Sequence, residues 1–81
     1  SRVVPRERLA AEAAAMGARL AAGAPLAMTL TKRALGAAFE RDLDGALDAE
    51  ADAQRVAGAS RDHAEGLAAF LEKRPPRFTG D

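Results

Sequence analysis

The residues around the only histidine are of types that could bind a metal or activate a nucleophile. His63 follows Asp62 directly and precedes Glu65 by two positions. A zinc site needs three or four convergent ligands, so one helical turn of this kind is better interpreted as an exposed helix edge. Ser60 could pair with His63 as nucleophile and base, but no Gly-rich oxyanion loop accompanies them and Ser60 suits a helix cap. The sequence therefore predicts neither a metal site nor a catalytic residue here.

A row of carboxylates in the middle of the chain is the second candidate, since two facing carboxylates can perform acid–base chemistry. These side chains alternate with Arg41 and Arg55, which is typical of a solvated helix face. Glu50 is the exception, because its spacing is compatible with an inward orientation. The row consists of Asp42, Asp44, Asp48, Glu50 and Asp52.

Two basic islands, Lys32-Arg33 and Lys73-Arg74-Arg77, are the last candidates. Solvated helix ends explain both islands. The functional alternative is that Phe70 and Lys73, three positions apart, lie on adjoining sides of one helical turn. A ring surface beside an ammonium ion suits a ligand that carries an aromatic base and a phosphate. Phe70 and Lys73 are therefore the candidate ligand-binding pair.

The elements that must position these residues are predicted to be four helices, at about 5–22, 25–39, 42–57 and 60–74, followed by an extended tail at 75–81. Ala, Leu, Glu and Arg dominate the chain and favour helix, while Pro and Gly lie between the periodic stretches. Asp42 and Ser60 are predicted N-caps. Asp62 is predicted to face the helix dipole from the first turn of the last helix, and Lys73 and Arg74 to lie in its last turn. The whole chain, 1–81, is predicted to form one all-α module.

Composition excludes several classes of function. Lys and Arg number 12 and Asp and Glu also number 12, so the chain lacks the basic excess of a nucleic-acid binder. It has no cysteine, which excludes disulfides and thiolate metal sites. No stretch approaches the roughly 18 apolar residues of a membrane span, and no signal peptide is visible. We expect a cytoplasmic protein without a nucleic-acid or membrane partner.

The apolar residues are too small to form a substantial core. Hydrophobic residues make up 48% of the chain, but more than half of them are Ala, and neither Trp nor Tyr occurs. A small, thin core makes an isolated monomer marginal. We therefore expect the chain to need a partner surface, either another domain or further copies of itself.

The order of several short blocks resembles the carboxyl end of the enoyl-CoA hydratase/isomerase family, the crotonase superfamily. Each block alone is weak, because Ala-rich helices are common, but their order and spacing together are specific. The resemblance covers nearly the whole chain. Its blocks are Val3-Val4-Pro5-x-Glu7-Arg8-Leu9, Ala21-Ala22-Gly23-Ala24-Pro25-Leu26-Ala27, Thr31-Lys32-Arg33-Ala34-Leu35, Asp42-Leu43-x-x-Ala46-Leu47-x-x-Glu50-Ala51-x-x-Gln54, Ser60-x-Asp62-x-x-Glu65-Gly66 and Phe70-Leu71-Glu72-Lys73-Arg74.

The resemblance implies that these residues are the C-terminal helical oligomerisation module of an enzyme whose α/β spiral core is absent here. In that family, backbone N–H groups stabilise a thioester enolate and acidic side chains move protons, but none of those groups maps onto this chain. The family has no covalently bound cofactor, and its coenzyme A thioester is the substrate. Phe70 and Lys73 match the positions that help to hold the adenine-phosphate end of coenzyme A.

The parent enzyme is thus expected to hydrate or isomerise 2-enoyl-CoA as a trimer or hexamer, whereas this segment alone is expected to be inactive. The resemblance does not separate hydratase from isomerase, or either of them from other crotonase reactions such as thioester hydrolysis. The alternative is a free-standing helical interaction module with no enzymatic activity and no link to acyl-CoA, because many scaffolds share the neutral, Ala-rich four-helix pattern.

Overall fold

A computed structural model describes residues 2–81 as four α-helices. Within this range no β-strand occurs, so the predicted all-α class is confirmed. Short 3-10 turns, Arg6–Arg8 and Ala38–Glu40, precede the first helix and extend the second. The helices are α1 at Leu9–Ala21, α2 at Pro25–Ala37, α3 at Leu43–Gly58 and α4 at Arg61–Glu72.

Local capping signals explain where α2, α3 and α4 begin. Pro25 is the first residue of α2, a position where the missing N–H has no helical partner in any case. The Asp42 Oδ1 atom accepts from the Gly45 N–H at 2.8 Å. The Ser60 Oγ atom accepts from the His63 N–H at 3.1 Å and donates to the Ala57 carbonyl at 2.6 Å. The predicted caps at Asp42 and Ser60 are confirmed.

The end of α4 differs from the sequence-based prediction. The helix ends at Glu72, and Lys73 adopts the left-handed conformation with φ 55° and ψ 45°. The Lys73 N–H donates to the Phe70 carbonyl at 3.3 Å and the Arg74 N–H to the Ala69 carbonyl at 3.0 Å. This is the Schellman motif, which gives hydrogen-bond donors to the carbonyls left free at a helix end. The prediction that Lys73 and Arg74 lie in the last helical turn was wrong, because this closure reverses the chain at Lys73.

The helices form a flat, open arrangement. The radius of gyration is 15.9 Å and the principal extents are 44 × 38 × 17 Å, whereas a compact domain of this length has a radius of about 12 Å. Within residues 2–81 no single helix has the length and apolar composition that a membrane crossing needs, and the one pair that reaches them together, Arg6–Ala21 with Pro25–Glu40, is bent by 109°.

Few side chains are covered in this arrangement. Only Ala69 and Asp62 are buried among the described residues. Large apolar side chains lie open to solvent on every helix, including Leu9 and Leu20 on α1, Leu35 on α2, Leu47 on α3, and Phe70 and Leu71 on α4. The helices thus keep apolar faces that their own packing does not cover.

Candidate functional site

The candidate ligand-binding pair lies at the carboxyl end of α4. Phe70 is 81% exposed and is still helical, while Lys73 is exposed and lies in the turn that follows. Their backbones are joined by the hydrogen bond from the Lys73 N–H to the Phe70 carbonyl. The two residues are therefore neighbours across the helix end, rather than on adjoining sides of a continuous helical turn as the sequence predicted.

Arg74, which sequence analysis assigned to a solvated basic island, is held by an ion pair instead. Its Nη1 and Nη2 atoms donate to the two carboxylate oxygens of Glu65 at 2.7 and 3.0 Å. Its Nε atom donates to Glu72 at 2.5 Å. The Glu65 Oε2 atom also accepts from the Arg77 N–H at 2.8 Å. One carboxylate on α4 thus binds the chain at residues 74 and 77, through a paired geometry that is among the stronger side-chain interactions.

The same contacts make Glu65 an unusually strong acid. The hydrogen bonds from the Arg74 side chain and the Arg77 N–H hold the pKa of Glu65 at about 2, below its ordinary value of 4.5. The Glu65 carboxylate in turn raises the pKa of Arg74 above its usual range. Both shifts favour the charged forms, so the ion pair persists at every physiological pH.

We expect the contribution of Glu65 to stability to be lost only in strong acid. A carboxylate with a lowered pKa in the folded state stabilises the fold fully above its unfolded value, here 4.5, and this stabilisation disappears as the pH falls toward about 2. A carbon-detected NMR titration of the Glu65 carboxyl group should give a midpoint near 2. In Arg74→Gln the midpoint should move toward 4.5. A midpoint near 4.5 in the unaltered chain would show that the ion pair does not form.

Asp62 holds the final residues of the chain, a role that sequence analysis missed. It is 2% exposed. Its Oδ1 atom accepts from the Thr79 N–H at 2.7 Å and its Oδ2 atom from the Gly80 N–H at 2.8 Å. The Asp62 N–H donates to the Asp81 carbonyl at 2.8 Å. The predicted interaction with the helix dipole does not account for this burial, since a side chain that only faces the dipole remains in solvent.

Residues 73–81, called the tail from here on, contact both α4 and the start of α2. A β-carbon placed on Gly66 of α4 would lie 3.7 Å from the Phe78 ring, and one placed on Gly80 would lie 3.7 Å from the Pro25 ring. Gly80 has a φ of +93°, which favours glycine at this contact. A small cavity of about 270 Å³ remains where α2, α4 and Phe78 meet. The tail therefore follows a defined path rather than extending freely.

The residues around His63 do not converge into a metal or nucleophilic centre. Asp62 accepts backbone N–H groups and Glu65 binds Arg74, so both carboxylates already have partners. Within residues 2–81 no group of three potential metal ligands is assembled. The Ser60 hydroxyl is used in the cap of α4. His63 itself is exposed.

A wider groove runs between α2 and α3, with a volume of about 490 Å³. Its lining includes Leu30 and Leu35 on one side and Glu50 and Gln54 on the other. Glu50 thus faces the groove but remains exposed. Of the row of carboxylates on α3, only Glu50 lines the groove, which is an open and largely apolar face rather than an enclosed reaction site.

Comparison with known proteins identifies the family of this chain. A family model described as Enoyl-CoA hydratase/isomerase matches residues 1–81. The chain belongs to this family. It is 45% identical over 78 residues to the 1,2-epoxyphenylacetyl-CoA isomerase of Escherichia coli K12, which is 96% of this chain and 30% of that protein. It is 40% identical over 79 residues to the probable enoyl-CoA hydratase echA8 of Mycobacterium bovis, with coverages of 98% and 31%.

A solved member of the enoyl-CoA hydratase/isomerase family has the same helical arrangement. The enoyl-CoA hydratase from Bacillus anthracis superposes with a TM-score of 0.91 at 34% identity, over 98% of this chain and 31% of that chain. The family resemblance found in the sequence is thereby confirmed. The chain spans about 30% of the length of these relatives, so the open arrangement of its helices also occurs as one part of a much longer chain.

Proposed function

We propose that this chain is the carboxyl-terminal helical module of an enoyl-CoA hydratase/isomerase that acts on 2-enoyl-CoA thioesters. The observation that carries the proposal is the combination of a family match along the whole chain with apolar faces that the chain does not cover itself. A complete small domain would bury such faces. A module that packs against a catalytic core and neighbouring subunits would expose them when considered alone.

The module's first role in this proposal is subunit packing in a trimer or hexamer. Exposed apolar side chains occur on all four helices, and the flat shape leaves both broad sides accessible. Packing of such faces removes apolar surface from water, which is the main driving force of stable association. A cytoplasmic location and the absence of membrane and nucleic-acid partners remain predictions that accompany this role.

The module's second role is to form the edge of the coenzyme A site through Phe70 and Lys73. The exposed Phe70 ring offers a face on which an adenine base can stack. The Lys73 ammonium ion offers a positive charge for a phosphate. Neither side chain is a proton-transfer group for the acyl portion, so the module contributes binding energy to a reaction performed by other residues of the enzyme. Coenzyme A enters as part of the substrate, and the proposal includes no bound cofactor.

The experiment that tests this proposal compares the whole protein encoded by the gene with residues 1–81 alone. We expect the whole protein to hydrate crotonyl-CoA or to shift the double bond of an enoyl-CoA, and residues 1–81 alone to do neither, since they contribute only binding and packing. Both activities should be assayed on each preparation, with contaminating enzyme excluded.

Two outcomes would contradict the proposal. One is turnover that scales with the concentration of purified residues 1–81. The other is a gene whose reading frame encodes these residues and nothing more, which would favour the free-standing interaction module instead.

A further inference from the structure

Lys73 has a backbone conformation that lysine rarely adopts. Its φ of 55° is the only positive φ at a non-glycine residue among residues 2–81. In this conformation the β-carbon approaches the following carbonyl oxygen, which is sterically unfavourable for every residue with a β-carbon. Glycine is the usual residue at this position of a Schellman turn because it avoids that cost. Strained residues of this kind persist where the surrounding structure enforces them, and they cluster at ligand-binding positions.

The contacts that hold Lys73 in this conformation are made mainly by the next residue, Arg74. The Arg74 N–H donates to the Ala69 carbonyl, and the Arg74 guanidinium binds both oxygens of Glu65. Pro75 follows directly and restricts the backbone of Arg74 to extended conformations. Because Glu65 also accepts from the Arg77 N–H, its carboxylate joins α4 to two residues beyond the reversal at Lys73, whereas Glu72 contacts Arg74 only through Nε.

We infer that the Glu65–Arg74 ion pair is a positioning device that keeps Lys73 in the left-handed conformation and thereby presents its ammonium ion to the phosphate-bearing end of a coenzyme A thioester. This inference rests on the proposed function, in which Lys73 contacts that end of the ligand. Glu65 acts through Lys73 and does not itself touch the ligand. Without the ion pair, the right-handed alternative would become accessible and would point the lysine side chain elsewhere.

The expected loss of affinity for coenzyme A follows from the fraction of molecules in which Lys73 is left-handed. The apparent dissociation constant equals the intrinsic constant divided by the fraction of molecules in the binding-competent conformation. If loss of the ion pair leaves the left-handed conformation populated at roughly 3–16%, as its steric cost implies, the Kd for coenzyme A rises about six- to thirtyfold. Simple electrostatics predicts the opposite sign, because removal of a carboxylate near an anionic ligand should strengthen binding.

The test uses Glu65→Gln in the whole protein, with calorimetric titration of free coenzyme A and of pantetheine, which lacks every phosphate and the adenosine portion. We expect Glu65→Gln to weaken coenzyme A binding about six- to thirtyfold and to leave pantetheine binding and kcat unchanged. An equal loss of affinity for both ligands would indicate a general loosening of the fold and would overturn the inference. Tighter binding of coenzyme A would overturn the inference.

A matched control is available in Glu12→Gln. The Glu12 side chain is 21% exposed and pairs with Arg2 and Arg8 at 2.9 and 2.8 Å, while the Glu65 side chain is 24% exposed. The same chemical change at Glu12 removes an ion pair of similar exposure at the opposite end of the sequence. We expect it to leave the Kd for coenzyme A unaltered, and an equal loss of affinity in both variants would overturn the inference.

Variants of Lys73 separate this inference from the proposed function. Lys73→Gly removes the side chain and relieves the strained conformation, so it should preserve the fold while weakening coenzyme A binding. In the Lys73→Gly background, Glu65→Gln should have no further effect, because coupled residues are not additive. If Lys73→Gly leaves coenzyme A binding unchanged, the proposed role of Lys73 fails. If Lys73→Gly weakens binding but Glu65→Gln adds its full effect on top, the positioning role alone fails.

Discussion

Replacement of Asp62 by asparagine is expected to release the tail and to destabilise the fold by about 2–4 kcal/mol. The Asp62 carboxylate is buried and accepts from the N–H groups of Thr79 and Gly80. An asparagine side chain keeps one acceptor oxygen but turns an NH₂ group toward the second N–H, which leaves that N–H and the buried NH₂ group without an acceptor. Native-state hydrogen exchange of the Thr79 and Gly80 amides should report the change directly, together with a lower melting temperature.

The matched control for this experiment is Asp44→Asn. Asp44 occupies the same first-turn position in α3, two residues after the capping Asp42, that Asp62 occupies in α4 after Ser60. Asp44 is exposed, so its replacement removes only an interaction with the helix dipole, worth about 0.3–1 kcal/mol. Equal effects of the two substitutions would mean that Asp62 contributes through the dipole and that the tail is not held by its carboxylate.

Residues 1–81 alone are expected to self-associate through their uncovered apolar faces. The exposed side chains include Leu67, Phe70 and Leu71 on α4 and Leu35 on α2. Burial of each large apolar side chain contributes about 1.5–3 kcal/mol. Pairing of several faces therefore outweighs the small stability of a monomer in which only two of residues 2–81 are buried. Sedimentation at micromolar concentration should show an oligomer, and the melting temperature should rise with protein concentration.

Two substitutions at similarly exposed side chains test which surface mediates the self-association. Leu71→Gln changes a side chain that is 79% exposed and should weaken the association. Arg61→Gln changes a side chain that is 87% exposed at the other end of α4 and should leave it intact. A compact monomer with a radius of gyration near 12 Å and a melt independent of concentration would show that the chain closes its own core.

The sequence by itself determined the helical class, the caps of α3 and α4, and the family. These features are encoded within a few neighbouring residues. A capping side chain binds an N–H three positions later, as Asp42 does with Gly45 and Ser60 with His63, and Pro25 marks a helix start from its own geometry. The order of short blocks along the chain is likewise visible without any knowledge of which residues meet in space.

The tertiary structure alone decided the contacts of Asp62 and Glu65 and the left-handed conformation of Lys73. Asp62 meets residues 17 and 18 positions later, and Glu65 meets residues 9 and 12 positions later. These contacts depend on the reversal of the chain at Lys73. The sequence does not predict this reversal, because the position lacks the glycine that usually marks one. A first-turn aspartate looks the same in sequence whether it faces water, as Asp44 does, or is buried beneath a tail, as Asp62 is. Periodicity describes which face of a helix is apolar, but it contains no information about which distant backbone N–H groups will be folded onto that face.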